Sequence, residues 1–239
     1  MAELKYKRIL LKVSGEGFCG TGGFGLSNEG LEVLAAQITE LVQIGAQTAV
    51  VVGAGNFIRG KTLSEETAVH RVTADQMGML ATVINAVALS DMLETQGTPT
   101  RVLSAIEMSR ICELFIRRRA VRHLEKNRVI ILAGGTGNPF FTTDTCAALR
   151  ASEIGADVLI KATKVDGVYS ADPVLDSSAK KYETLSYREV LQEDLKIMDH
   201  TAITMCRENN VDVIVCNLME PGTVARVARG EKIGTLINA

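Results

Sequence analysis

Short apolar runs alternate along this chain with longer amphipathic segments. Five of the short runs are nearly continuous and rich in β-branched residues, as strands covered on both faces of a parallel sheet require. They span residues 8–13, 48–53, 129–133, 158–160 and 211–216. These runs predict the strands of a mostly parallel sheet.

The segments between these runs have the apolar spacing of helices. Apolar residues recur three and four apart over residues 31–44, behind a candidate N-cap at Ser27, and the same spacing covers residues 74–93 and 112–126. Alternating strands and helices predict an α/β fold, a three-layer α/β/α sandwich with right-handed crossovers. We see no proline-rich linker or repeat, so residues 1–239 are expected to form a single domain.

Composition limits the class of partner. The formal net charge is −2 and only 4% of residues are aromatic, so a nucleic-acid partner is not expected. The five cysteines lack metal-site spacing and are expected to be reduced, buried thiols. The first residues have no signal-peptide pattern, and apolar runs fall short of the ~18 residues of a membrane span. We therefore expect a soluble cytoplasmic protein with no membrane partner.

Glycines follow two predicted strands, at the edge where open parallel sheets bind ligands. After the first strand, Lys12, Ser14 and Gly15 could surround phosphate oxygens with an ammonium and backbone N–H groups. After the second, Gly53 to Gly55 end the strand, and Arg59 could return a guanidinium to a bound phosphate. Each segment alone is also consistent with a plain turn.

A P-loop GTPase is a competing interpretation. Residues 55–62 match the pattern G-x-x-x-x-G-K-T, and DQMG at 75–78 and TKVD at 163–166 follow in the order of GTPase motifs. However, a P-loop is followed by a helix and a crossover to another strand, a unit of roughly 30 residues. Only residues 63–74 separate Thr62 from Asp75, and Asp75 opens a helical pattern. The spacing therefore disfavours a GTPase.

Residues 134–157 are the most informative stretch. They leave a buried strand, pass through glycines and Pro139, and enter a helix at Thr142 to Asp144. N–H groups and hydroxyls that converge at a helix N-terminus favour an anion. That terminus supplies only about 0.3–1 kcal/mol, so lysine, arginine and Mg²⁺ must neutralise most of a polyphosphate. Asp144 could also be an ordinary acidic residue of a first helical turn.

Residues 160–173 combine a strand with a turn rich in aspartate and glycine. Tyr169, Asp172 and Pro173 could form a semi-rigid edge of a nucleoside pocket. A plain surface β-turn is the alternative.

Together these segments resemble the bacterial UMP kinases, which belong to the amino acid kinase family and lack a P-loop. The resemblance runs from about Tyr6 to Asn238, and its most specific motif is TGNPFFTTD. Its other motifs are KRILLKVSGE, GAGNFIRG, DQMGMLATVIN and KATKVDGVYSADP. The resemblance implies a kinase of pyrimidine nucleotide biosynthesis that transfers the γ-phosphoryl of ATP directly to UMP, giving UDP and ADP, with Mg²⁺ as the cofactor of ATP.

The resemblance also implies roles for the matching residues. Those on the ATP side would be Lys12, Val13, Ser14, Gly15, Gly55, Arg59, Thr163, Tyr169 and Asp172. Those holding UMP would be Ala54, Asp75, Thr136, Gly137, Asn138, Pro139, Phe140, Phe141, Thr142 and Thr143, with Asp75 accepting from the ribose hydroxyls. The catalytic candidates are Lys12, Arg59, Asp144 and Asp199, with Asp144 orienting Lys12 or the Mg²⁺.

The resemblance also gives expectations for regulation and assembly. The loop from Gly20 to Gly25 resembles the segment where GTP acts on some members, and UTP is a candidate inhibitor; the sequence leaves both effects open. The family's hexamers imply a homohexamer, with residues 31–44 as an interface candidate. The loop from Gly20 to Gly25 would also suit a non-catalytic nucleotide-sensing protein, which is the second alternative to a kinase.

Ala54 departs from the family's pattern, which has the central one of three glycines at this position. Ala54 is therefore expected to avoid a positive φ.

Overall fold

The computed structural model describes residues 4–20, 23–171, 173, 175–176 and 178–239. Its strands are β1 (Arg8–Val13), β2 (Gln47–Val52), β3 (Thr100–Ser104), β4 (Glu113–Leu114), β5 (Val129–Ala133), β6 (Val158–Thr163), β7 (Val168–Tyr169), β8 (Lys181–Tyr182), β9 (Thr184–Ser186), β10 (Asp212–Asn217) and β11 (Thr235–Asn238). Its helices are α1 (Asn28–Gln43), α2 (Gly60–Glu66), α3 (Arg71–Thr95), α4 (Arg117–Glu125), α5 (Thr143–Ile154), α6 (Tyr187–Gln192), α7 (His200–Glu208) and α8 (Thr223–Ala228).

Nine strands form the central sheet, in the order β4-β3-β5-β2-β1-β6-β10-β11-β9. The pairs from β4 to β10 are parallel, β11 runs antiparallel to β10, and β9 runs parallel to β11. β7 and β8 form a separate antiparallel ribbon. The predicted α/β fold with a mostly parallel sheet is confirmed. The sheet joins strands from both ends of the chain, which is why we propose a single domain.

Two hydrophobic cores cover the two faces of the sheet. Side chains alternate along each strand, so Ile9, Leu11 and Val13 of β1 face α1, α3 and α8, whereas Leu10 faces α4, α5 and α7. The apolar face of α1 packs into the first core, behind an N-cap at Ser27 that accepts a hydrogen bond from Gly30 N at 3.0 Å. The five cysteines are all free and buried, as expected.

The segment of residues 112–126 differs from its predicted single helix. Its first residues form β4, Phe115 N donates to Ser104 O, and only Arg117–Glu125 is helical. Backbone pairing with β3 therefore takes precedence there over the helical apolar spacing. Arg117, Arg118, Arg119 and Arg122 lie on an exposed helix face, as predicted.

α3 is longer than its predicted span and is apolar enough, by length and composition, to cross a membrane. The sequence analysis expected no such segment. Its most apolar window is 44% buried inside the protein, where side chains such as Leu89 and Leu93 join the core. Core helices of this length pass the same test of composition.

Candidate active site

Two cavities open beyond the carboxyl ends of β1, β2 and β6, where the strand order reverses around β1. The α3 cavity has a volume of about 400 Å³ and is lined by residues of the 134–143 loop and of α3, including Asp75 and Thr82. The α1 cavity has a volume of about 720 Å³ and is lined by Gly30 and Val33 of α1 together with Thr163. Ser14, Glu16, Gly55 and Arg59 line both cavities. The two cavities therefore meet at a shared wall.

The shared wall depends on a close approach of the loops that follow β1 and β2. A Cβ atom on Gly15 would lie 2.3 Å from Gly55 N and 2.7 Å from the carbonyl carbon of Ala54. No side chain fits there without moving the backbone, so Gly15 is required by contact. Ala54 does not adopt a positive φ, as expected, and is 9% exposed.

A buried amide pair supports the second loop. Asn85 of α3 donates to Gly53 O at 2.7 Å and exchanges hydrogen bonds of 2.8 and 2.9 Å with Asn56. Both asparagines are almost fully buried. The sequence analysis missed this pair; two asparagines at unrelated chain positions give no local signal.

Two lysines face Asp144 at the end of the sheet nearest the cavities. Lys12 of β1 and Lys161 of β6 occupy paired positions on neighbouring strands. Lys161 Nζ donates to Asp144 Oδ2 at 2.7 Å, and Lys12 Nζ lies 2.8 Å from Asp144 Oδ1, close enough for an ion pair but outside hydrogen-bond angles. The structure thus brings Lys12 and Asp144 together. Lys161 was not a predicted site residue.

Burial and charge compete in this cluster. Burial alone would raise the pKa of Asp144, but the combined attraction of Lys12 and Lys161 holds that pKa below its usual value. Burial lowers the pKa of Lys161, and attraction to Asp144 offsets this only in part. Asp144 therefore remains an anion that balances one of the two cations.

The N-terminus of α5 borders the α3 cavity. Thr142 caps it, accepting from the backbone N–H groups of Asp144 and Thr145 at 3.1 Å. Asp199, a predicted catalytic residue, accepts from the hydroxyl groups of Thr142 and Thr145 and from Ala202 N, which makes it the N-cap of α7. Its position connects α5 to α7, and it is not among the residues that line either cavity.

Asp75 holds the loop that covers the α3 cavity. Its Oδ2 accepts from Phe140 N at 2.8 Å, and both carboxylate oxygens lie 2.9 Å from Arg71 Nε. Phe140 has a φ of 71°, a strained value for a bulky residue. The Arg71 guanidinium also lies 5.7 Å from the centre of the Phe140 ring. Sequence analysis missed Arg71, although it lies one helical turn before Asp75 in α3.

Arg59 forms an ion pair with Glu16 across the mouth of the shared wall. Both side chains are exposed, so the pair is screened by solvent and can be exchanged for another partner. Glu16 carried no predicted role.

The remaining predicted residues divide among several places. The α3 cavity is lined by Lys12, Gly15, Ala54, Thr136, Asn138, Phe141, Thr142 and Thr143, and the α1 cavity by Val13 and Thr163. Gly137, Pro139 and Phe140 belong to the same loop but do not line the α3 cavity. Tyr169 donates to Asp166 and lines neither cavity. Asp172 lies outside the described residues.

The glycine-rich loop expected to bind GTP borders the α1 cavity. Gly20 and Gly23 line it, whereas Thr21 and Gly22 lie outside the described residues. Two of the described glycines of this loop therefore border the larger cavity.

The P-loop interpretation does not fit the geometry. Asp75 lies inside α3 instead of at the end of a strand, and the side chain of Lys61 is 74% exposed. Lys61 and Lys12 both line the α3 cavity. Of the two, Lys12 is buried, with 7% of the residue exposed.

Comparisons with known proteins identify the family of this chain. A family model described as the amino acid kinase family matches residues 7–217. The chain is 55% identical to the uridylate kinase of Methylococcus capsulatus, over 99% of each chain. It is similar to the crystal structure of UMP kinase from Bacillus anthracis, with a TM-score of 0.95 and 38% identity over 98% of this chain and 96% of that one. For UMP kinase from Ureaplasma parvum the TM-score is 0.91, with 34% identity over 98% and 100% of the two chains. The chain belongs to the amino acid kinase family.

Proposed function

We propose that this chain is a UMP kinase that transfers the γ-phosphoryl of ATP to UMP, giving UDP and ADP. The observation that carries the proposal is the 55% identity to a uridylate kinase over 99% of the chain. The two cavities that meet at one wall support it, because a phosphoryl transfer needs donor and acceptor held head to head.

The larger α1 cavity suits ATP and the smaller α3 cavity suits UMP. In this assignment Val13 and Thr163 contact ATP, and Gly15, Gly55 and Arg59 lie near its phosphates. Asp75, Thr136 and the N-terminus of α5 hold UMP, because backbone N–H groups at a helix start favour a phosphate. The γ-phosphoryl would cross between the cavities at the wall that contains Ser14 and Gly55.

Lys12 and Arg59 supply positive charge at that wall. Direct in-line transfer needs positioning and charge stabilisation and no covalent intermediate. The buried Lys12 ammonium acts in a medium of low dielectric constant, where its attraction for the transferring phosphoryl is strong. Arg59 would exchange Glu16 for phosphate oxygens when ATP binds.

Mg²⁺ enters this proposal with ATP. Among the described residues no group of three or more acidic, histidine or cysteine side chains could hold a metal ion, and both oxygens of Asp144 face lysines. Mg²⁺ commonly keeps several waters and binds mainly to substrate phosphates. Bound to ATP, it would neutralise charge on the β- and γ-phosphates.

We also propose that the enzyme is a cytoplasmic homohexamer of pyrimidine nucleotide biosynthesis, with GTP and UTP as candidate effectors. The interface candidate differs from the helix expected from sequence, because the apolar side chains of α1 face the core. α3 instead exposes Met77, Leu80, Ile84 and Val87 at three- and four-residue spacing, each between 36% and 50% exposed. An exposed apolar stripe of this kind suits contact with another subunit.

A turnover assay tests the function. UMP, CMP, AMP and GMP are offered separately with Mg-ATP, with and without GTP or UTP, and we expect a clear preference for UMP. A preference for another nucleotide would reject the proposal. GTP hydrolysis that requires Lys61, without turnover of UMP, would favour a GTPase. Nucleotide binding without any turnover would favour a sensing protein.

A further inference from the structure

Lys161 is a charged residue at the centre of the sheet that lines neither cavity. Only 16% of its side chain is exposed. Its ammonium donates to Asp144 Oδ2 at 2.7 Å and to the carbonyl of Ile197. A buried lysine with no access to either candidate nucleotide site requires a reason, because burying an ammonium is costly unless it is paired.

The reason lies in the geometry of Asp144. Its two oxygens point to two lysines: Lys161 donates a hydrogen bond of 2.7 Å to one oxygen, and Lys12 Nζ lies 2.8 Å from the other. Of these two lysines, Lys12 is the one that lines a cavity. A bound phosphate can therefore reach Lys12, whereas Lys161 keeps its bond to the carboxylate.

Charge balance leads to the same conclusion. With Lys12 as its single partner, Asp144 would form a neutral pair, and moving Lys12 toward a phosphoryl group would leave a buried carboxylate uncompensated, which is strongly unfavourable. With Lys161 present, Asp144 keeps a cation when Lys12 turns away.

We propose that Lys161 is a positioning residue for the phosphoryl transfer: it holds Asp144 in place and keeps it neutralised, so that Lys12 can engage the transferring phosphoryl. This inference rests on the proposed kinase function. Asp144 faces Lys12 on β1 and Lys161 on β6, and Lys161 also faces Asp199, the N-cap of α7. Cys206 of α7 lies near both carboxylates. Of the two cations, Lys161 is the one that lines neither cavity.

The test compares Lys161→Met, which keeps the length of the side chain and removes its charge, with Lys196→Met as control. Lys196 is an exposed lysine that pairs with Asp194 and lies outside both cavities. We expect Lys161→Met to lower kcat by about 10- to 100-fold, as loss of a supporting shell typically does. The KM values for UMP and ATP should change by less than about threefold, and Lys196→Met should match the wild type. Lys161→Arg, which keeps the charge, should recover part of kcat.

A double-variant cycle separates positioning from a purely structural role. If Lys161 acts through Asp144, adding Lys161→Met to Asp144→Asn should change kcat by less than about threefold, because interacting residues are not additive. In Lys161→Met, the buried carboxylate of Asp144 loses one of its two cations, which could unfold the protein. The double variant has no carboxylate at position 144, so its kcat can be measured even if the single variant does not fold.

Three outcomes would overturn the inference: an unchanged kcat in Lys161→Met, a loss confined to KM, or a further loss of tenfold or more when Lys161→Met is added to Asp144→Asn. A wild-type enzyme that does not phosphorylate UMP would instead reject the proposed function itself. The two failures are therefore distinguishable.

Discussion

Lys12 is a cation held almost entirely out of water, beside the wall between two cavities. Its desolvation strengthens every electrostatic interaction that it makes, and a group whose attraction grows as charge develops on the phosphoryl accelerates the reaction. The end of the first predicted strand indicates Lys12, and the resemblance to the bacterial UMP kinases supplies the role of Asp144, which lies at the start of a helix. Sequence analysis could not identify Lys161, because its pairing with Asp144 depends on a strand register.

Replacing Lys12 tests its role in the transition state. We expect Lys12→Ala to lower kcat by about 10²- to 10³-fold, comparable to the loss of one preorganised electrostatic donor. The KM for UMP should rise much less, because the contact strengthens only during transfer. Steady-state kinetics with Mg-ATP measures both. Equal effects on binding alone would contradict the role.

Asp75 is expected to act mainly on binding. Asp75→Asn should raise the KM for UMP about tenfold, since charged hydrogen bonds contribute about 1.5–3 kcal/mol and Asp75 also holds Phe140 in its strained conformation. Asp91→Asn provides a matched control, because Asp91 is exposed further along α3. An unchanged KM in Asp75→Asn would remove Asp75 from the UMP site.

At the scale of elements, the site is formed by loops that only glycine allows to meet. The predicted strands β1, β2, β5, β6 and β10 and the helices α1, α3 and α5 are present within a few residues of their predicted bounds. β3 and β4 were not predicted, because their sequences mix arginine, threonine and glutamate with apolar residues near the edge of the sheet. β3 and β4 form strands because their backbones pair with neighbouring strands, β3 with β5 and β4 with β3.

The contact between the first two loops can be tested with one methyl group. Gly15→Ala should destabilise the protein by about 1–3 kcal/mol, the usual effect of overpacking, and reduce turnover. Gly78→Ala is the matched control for stability alone, because Gly78 also lines the α3 cavity. Nothing lies within 4 Å of its added Cβ, and alanine suits a helix better by up to about 1 kcal/mol. Urea unfolding measures the free energy of unfolding of both variants, and the UMP assay measures the turnover of Gly15→Ala. A neutral Gly15→Ala would show that the loops are not tightly apposed.

At the scale of the whole molecule, the exposed stripe on α3 is the feature that sequence analysis interpreted differently. The helical pattern of residues 31–44 and that of α3 are both apolar, and only the fold shows which apolar side chains remain at the surface. The family resemblance supplied the expectation of a hexamer, and the fold supplies a candidate face for it.

Charge placed on that face should break the proposed hexamer. We expect Leu80→Asp combined with Ile84→Asp to give a smaller species in analytical ultracentrifugation, because carboxylates are costly to bury in an interface. Leu175→Asp is the control, since Leu175 is 85% exposed and belongs to the segment between β7 and β8. The same mass for wild type and the double variant would place the interface elsewhere.

The pairing of Lys12 with Lys161 has a consequence for evolution as well as for chemistry. Side chains on a strand alternate between faces, so one residue inserted or deleted within β6 would turn the lysine into the opposite core, among Val13 and Cys216 and away from Asp144. Active homologues of this chain should therefore have no single-residue insertion or deletion in β6, even though Lys161 lines neither nucleotide cavity. Selection for activity should therefore preserve the register between β1 and β6.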